Sequence, residues 1–264
     1  MAVELTTWRE LCDRGRDLVL CLDFPGGRAA AGFADLATGL PVELCFLHIA
    51  WLGLHTDSRL DAHIAQWVGE VLGTGRPVRA VLGFCAGTAL ATRVADAVSA
   101  TAGATPPAVL LFDAAAVPGG ALRDQFVSSV QASAAYLAEG ELEDARQWSR
   151  ELLATGRDDL PRVAAALVDR YDQLMSGIAD RLSLGEVIRR ELIDGFAAYM
   201  AYLLLAAQGG LDLRVGTPIF LSSRAHKPPV DPARVMSFGV DRERLLGDAD
   251  VWKAVAGVLG EGRP

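Results

Sequence analysis

Apolar and polar positions along the chain alternate between two kinds of segment, short all-apolar runs and longer stretches with helical spacing. Residues 7–14 show apolar side chains at helical intervals and predict a short amphipathic helix. Residues 17–22 predict a buried strand that breaks at Pro25-Gly26-Gly27. A helix is predicted over 30–40, a strand over 42–49, and a helix over 61–72 closed by Gly73-Thr74-Gly75 and Pro77. Strand, sharp corner and helix follow over 78–100. After a polar turn at 101–107 comes a fourth strand, 108–112, which ends on Asp113. Strands alternating with helices at this spacing imply a parallel sheet covered on both faces, with ligands at the carboxyl ends of the strands.

The pattern then changes. From about residue 121 to 207 there is no strand-like run, and helices are predicted over 133–138, 141–154, 160–182 and 186–207. Strand pattern returns at 218–223, a short strand is expected over 234–239, and 250–259 closes the chain as a helix. The expected organisation is a sheet-and-helix core over 1–120 and 209–264, with a helical insertion at 121–208 acting as a lid over the strand ends, the alternative being an ordinary oligomerisation or packing domain. The insertion carries Tyr171, Met175, Phe196, Tyr199, Met200 and Tyr202, side chains that suit a long acyl chain as well as they suit a core.

Composition narrows the function. With 264 residues, 51% of them hydrophobic, the chain can bury a large core. The net charge of -8 and the presence of only two lysines, Lys227 and Lys253, argue against a nucleic-acid surface. The longest apolar stretch, 196–207, is shorter than the about 20 residues a bilayer span needs. The first residues lack the basic flank and apolar core of a secretory signal, so the expected location is the cytoplasm, with no membrane partner. Cys12, Cys21, Cys45 and Cys85 form no Cys-x-x-Cys pair, and neither disulfides nor a metal site is indicated.

The most informative stretch is Gly83-Phe84-Cys85-Ala86-Gly87, where an apolar strand runs into a helix. A corner this sharp needs glycines two residues to either side, and it lifts one side chain clear of the sheet. Here that side chain is a thiol at a helix N-terminus, where unpaired N–H groups and the helix dipole favour a thiolate. The alternative is an inert buried cysteine on an ordinary strand–helix turn. Asp113, at the end of the next strand, is a second candidate, with an N-cap of the following turn as its alternative. The Gly26-Gly27 pair is followed by no phosphate-loop pattern, which excludes nucleotide binding of that type.

This order of parts resembles the α/β-hydrolase thioesterases that act with polyketide synthases and nonribosomal peptide synthetases. The likeness rests on the Phe24-Pro25-Gly26-Gly27 loop, the cysteine corner, the Leu111-Phe112-Asp113 strand end, the helical insertion and the closing helix. It implies an α/β-hydrolase fold with a mostly parallel sheet, a catalytic Cys85 and Asp113, and an oxyanion hole made by the N–H groups of Ala86 and Gly26. It also implies a substrate delivered on the phosphopantetheine of an acyl or peptidyl carrier protein, with no other cofactor. The family usually has serine at the corner; cysteine resembles the subset that includes the Dieckmann cyclases, which release carrier-bound β-ketoacyl-aminoacyl thioesters as tetramate or pyridone rings.

The family's histidine loop corresponds here to Gly239-Val240-Asp241-Arg242-Glu243-Arg244, with no histidine, and none occurs after His226. His226 is the best remaining base, with a solvent-facing loop histidine beside Lys227 as its alternative; His48, His55 and His63 are expected to be structural, with His55 at the edge of the cleft as its alternative. A thiolate needs little help to attack. Hydrolysis needs a base to activate water, whereas a carbon between two carbonyls is far more acidic than water. The expectation is therefore cyclising release, with hydrolytic editing of stalled carriers and non-catalytic acyl or carrier binding as alternatives.

Overall fold

The computed structural model describes residues 5–24, 31–50, 54–101, 105–211, 216–228 and 234–260. It divides into two compact units: Met1–Leu52, Arg59–Ala116 and Gln208–Pro264 form one, and Gly53–Ser58 with Val117–Ala207 form the other.

The first unit is built on a seven-stranded sheet: β1 (Trp8–Asp13), β2 (Leu18–Leu22), β3 (Cys45–Ile49), β4 (Val78–Phe84), β5 (Ala108–Phe112), β6 (Ile219–Ser222) and β7 (Val235–Ser237). Their spatial order is β1-β3-β2-β4-β5-β6-β7. β1 pairs with β3 antiparallel, and the other pairings are parallel. β2 and β3 are buried along their whole length; β2 reads as an unbroken apolar run, and β3 is apolar but for His48. On one face, Val19, Cys21, Phe46, Leu82, Leu110 and Phe112 share a core with α1 (Phe33–Gly39) and α8 (Ala249–Gly260). The other face is covered by α3 (Gly87–Ser99), which contacts β2, β4 and β5 and packs on α2 (Leu60–Gly73).

One predicted element is wrong in kind. Residues 7–14 form the edge strand β1 and not an amphipathic helix. The apolar spacing of Trp8, Leu11 and Cys12 fits a helix, but the ladder to β3 shifts register between Glu10 and Cys12, so one extra residue breaks the strict alternation. Trp8 is anchored by its Nε1–H, which donates to the Trp67 carbonyl at 3.0 Å. Tertiary pairing overrides the local pattern here.

The second unit is helical: α4 (Gly119–Ala132), α5 (Glu141–Gly156), α6 (Leu160–Leu182) and α7 (Glu186–Gln208), the last reaching one residue into the first unit. α6 starts where the Asp159 side chain accepts from the Arg162 N–H at 3.1 Å, and it ends on Ser183, with φ of 52°. The helix predicted over 133–138 is in fact a single 3-10 turn, Ala134–Tyr136, after α4. α4 itself was not resolved by the spacing because its apolar stripe (Leu122, Phe126, Val130) is narrow. Tyr171 stacks on Phe196 at 4.1 Å between ring centres, and Phe126 meets the same ring at 6.3 Å. Met175, Met200 and Tyr202 are also buried, so most of the side chains expected to suit an acyl chain are core residues.

Two glycines fix the end of β4. A Cβ on Gly87 would stand 2.1 Å from the Leu22 carbonyl oxygen, and one on Gly83 would stand 2.7 Å from the Thr88 Cα. Both obstacles are backbone, which cannot rotate away. Gly87→Ala is therefore expected to push β2 and α3 apart and destabilise the protein by about 1–3 kcal/mol. Chemical denaturation of the variant beside the parent protein checks this; an unchanged midpoint would contradict it.

Candidate active site

Cys85 is the corner between β4 and α3. Its φ of 53° lies in the left-handed region, which non-glycine residues occupy at a cost. The conformation is held from several sides. The Cys85 N–H donates to the Phe112 carbonyl at 2.9 Å. Its own carbonyl accepts from the Thr88 N–H at 3.1 Å, from the Thr88 hydroxyl at 2.6 Å and from the Ala115 N–H at 3.4 Å. Cys85 is partly exposed, whereas Cys21 and Cys45 are buried. α3 has Ala86 at its N-cap, with no side-chain cap and no acidic residue in its first turn; the Thr88 and Ala89 N–H groups are taken by the Cys85 and Ala86 carbonyls, and those of Ala86 and Gly87 have no acceptor among the described residues and remain available to negative charge. Ala86 N–H, the expected first oxyanion donor, belongs to this uncapped end. The second expected donor, Gly26, lies outside the described residues.

Asp113 also sits in the left-handed region, with φ of 41°, at the end of β5. It is completely buried. Its carboxylate accepts from the Ser223 N–H at 2.8 Å and from the Ser223 hydroxyl at 2.9 Å. The next helix, α4, has Pro118 at its N-cap, so Asp113 does not cap it. Ser223 is a residue that sequence reasoning missed, because a serine after a strand carries no signal of its own.

His226 is brought to the same strand ends. Its N–H donates to the Ser223 carbonyl at 3.1 Å, and its Nε2 lies 2.9 Å from the Ala114 carbonyl oxygen. A carbonyl only accepts, so Nε2 carries the proton and Nδ1 is the basic nitrogen of the neutral ring. Asp113 and His226 are thus neighbours along one chain of contacts, but the carboxylate is taken by Ser223.

A buried acid–histidine pair was also missed. Asp23, just past β2, lies 2.5 Å from His48 Nε2 on β3, and both side chains are buried. The expectation of a structural His48 leaves out this partner, which is 25 residues away in sequence. His63 packs on Trp67, and burial pushes its pKa down. His55 is exposed. At the β1–β3 edge, Glu10, Asp13 and Cys45 lie within 4.8 Å of one another, and Arg76 donates to Asp13 at 3.0 Å.

No protein-family model matches the sequence, and no curated protein is similar to it in sequence. Among solved structures, the chain superimposes on the Vlm2 thioesterase domain, solved with a bound dodecadepsipeptide, with a TM-score of 0.51, 18% identity and 97% of each chain covered. It also superimposes on AB3403, a four-domain nonribosomal peptide synthetase, with a TM-score of 0.58 and 14% identity, covering 98% of this chain and 20% of that one. The chain has the α/β-hydrolase fold. The sheet expected from the sequence, mostly parallel with flanking helices, is the one observed. Within this fold Cys85 stands at the strand-to-helix corner after β4, and Asp113 at the end of the neighbouring β5. Among the described residues no helix is long and apolar enough to cross a membrane.

Two outcomes follow from this geometry. Asp113→Ala strips a buried acceptor from Ser223 and is expected to cost about 1.5–3 kcal/mol, read as a lowered denaturation midpoint; Asp113→Asn, which keeps one acceptor oxygen, should cost less. Burial pushes the Cys45 thiol up to about 11 and the Cys21 thiol well above its ordinary value, with Asp23 adding to the rise at Cys21. A raised thiol pKa keeps the neutral, unreactive form until the pH climbs towards that value. In the folded protein at mildly alkaline pH, peptide mapping after brief alkylation should find Cys85 labelled well ahead of Cys21 and Cys45. Equal labelling of all three would contradict the burial-based ranking.

Proposed function

We propose that the protein is an acyl-releasing enzyme that takes an acyl chain from a carrier protein onto Cys85 and discharges it by Dieckmann cyclisation. The observation that carries this reading is the Cys85 corner: a strained, partly exposed thiol at the uncapped start of α3, at the carboxyl end of a central strand. The solved structures of similar fold include a thioesterase domain and a nonribosomal peptide synthetase, which agrees with this chemistry without fixing the reaction.

In the first step the Cys85 thiolate attacks the carbonyl of the incoming thioester. The oxyanion that forms is met by the Ala86 N–H, with Gly26 assigned as the second donor. The C–S bond to the carrier arm breaks, the carrier thiolate takes up a proton, and the acyl group is left on Cys85. In the second step the carbon between the two carbonyls of the β-ketoacyl chain loses a proton, which we assign to His226 Nδ1. That carbon forms a bond to the Cys85 thioester carbonyl, and the C–S bond breaks to return the thiolate and close the ring. Asp113, bound by Ser223, holds the Asp113-Ala114-Ala115 turn against the Cys85 carbonyl and the His226 ring, so we assign it a positioning role. The use of a carbon nucleophile fits the absence of histidine from the loop after β7, because a weak base suffices for so acidic a carbon.

The test is incubation with the N-acetylcysteamine thioester of a β-ketoacyl amino acid, with products identified by mass spectrometry. A tetramate is expected, and Cys85→Ala should slow its formation by at least roughly 1000-fold. Free acid in place of the ring would mean hydrolytic editing. No product and no adduct on Cys85 would mean a binding protein.

A further inference from the structure

Arg242 begins the 3-10 turn Arg242–Gly247 that follows β7. Its guanidinium carbon lies 5.4 Å from the centre of the Phe84 ring, a cation–π contact with the residue immediately before Cys85. Phe84 is buried in the core shared by the sheet, α1 and α8, and Cys85 packs against the same cluster. The segment bearing Arg242 is fixed on both sides. Before it, Arg224 donates from its backbone N–H to the Val240 carbonyl at 2.9 Å and from Nε to the Gly239 carbonyl at 3.0 Å. After it, Leu245 and Leu246 are completely buried, and Trp252 Nε1–H donates to the Leu246 carbonyl at 2.8 Å.

Arg244 and several other arginines lack an ion pair among the described residues, as Arg242 does; what distinguishes Arg242 is that its unpaired guanidinium lies over Phe84, the residue before Cys85. The chain carries 33 acidic against 25 basic residues, and Arg76, Arg93, Arg181 and Arg189 each pair with a carboxylate. Arg242 forms no ion pair and no hydrogen bond among the described residues, although Asp241 and Glu243 flank it in sequence. An always-charged fork of N–H donors, seated on the aromatic ring of the residue that precedes a candidate nucleophile and left without an acceptor, is suited to an anionic oxygen supplied from outside.

We propose that Arg242 is a specificity-determining residue that draws an anionic oxygen of the acyl chain, the enolate of its 1,3-dicarbonyl unit, to the side of Cys85. This rests on the reading of Cys85 as the acyl acceptor. A guanidinium cannot act as a base, but it stabilises the enolate once formed and so eases loss of the proton that precedes ring closure. It selects enolisable β-ketoacyl thioesters over neutral chains of the same length.

The test uses two alkylating probes of similar size, anionic iodoacetate and neutral iodoacetamide, with the rate at Cys85 followed by peptide mass spectrometry. Arg242→Gln should lower the iodoacetate-to-iodoacetamide rate ratio by roughly three- to tenfold, leaving the iodoacetamide rate nearly unchanged. Arg242→Lys should keep most of the ratio. In the unmodified protein the same ratio should shrink as salt is added, which needs no variant. A ratio that is the same in Arg242→Gln and indifferent to salt overturns the proposal while leaving Cys85 as nucleophile intact. A folded protein whose Cys85 takes neither reagent overturns the acyl-acceptor reading, and this proposal with it. With substrate, Arg242→Gln should slow turnover of the phosphate-free N-acetylcysteamine thioester. A loss confined to the phosphopantetheine thioester would move the anion to the carrier arm and overturn the assignment to the acyl chain.

Discussion

Backbone pressed against backbone at the end of β4 is the constraint from which the rest of the site follows. The Leu22 carbonyl oxygen occupies the place where a side chain on Gly87 would stand, and Thr88 crowds the corresponding place at Gly83. Only glycine admits this approach, and only the approach lets α3 leave the sheet at once. Cys85, caught between the two, is turned into the left-handed region, and its carbonyl becomes the anchor for Thr88 and Ala115. The strain is distributed over hydrogen bonds that reach β5, so the thiol is held in place by the sheet and not by the mobility of a loop.

The charges around this corner fall into two groups. Asp113 and Asp23 are buried, and each has a close partner: Ser223 donates twice to the first, and His48 lies against the second. Burying a carboxylate is costly unless it is bound in this way, so these pairs specify the geometry of the strand ends more than they add stability. Cys85 and Arg242 form the other group, partly or fully exposed and without a counter-charge among the described residues. Groups of the first kind hold the framework, and groups of the second kind are free to meet a ligand.

His226 belongs to neither group cleanly. Its ring is oriented by the Ala114 carbonyl, a backbone acceptor in place of a carboxylate, which fixes which nitrogen carries the proton without adding negative charge behind the ring. The nitrogen left without a proton, Nδ1, is the one able to accept one.

The sequence alone determined the central strands, the bounds of α6 and the cysteine between its two glycines, because each is written in local terms: an unbroken apolar run, an Asp–Leu–Pro start, a Gly-x-Cys-x-Gly turn. It misread 7–14, where a register shift against β3 disguises an edge strand as a helix. Tertiary structure alone decided that Asp113 is spent on Ser223, that Asp23 meets His48, and that Arg242 lies over Phe84. These contacts join residues 110, 25 and 158 positions apart, and no local pattern encodes which distant polar group will satisfy a given buried one.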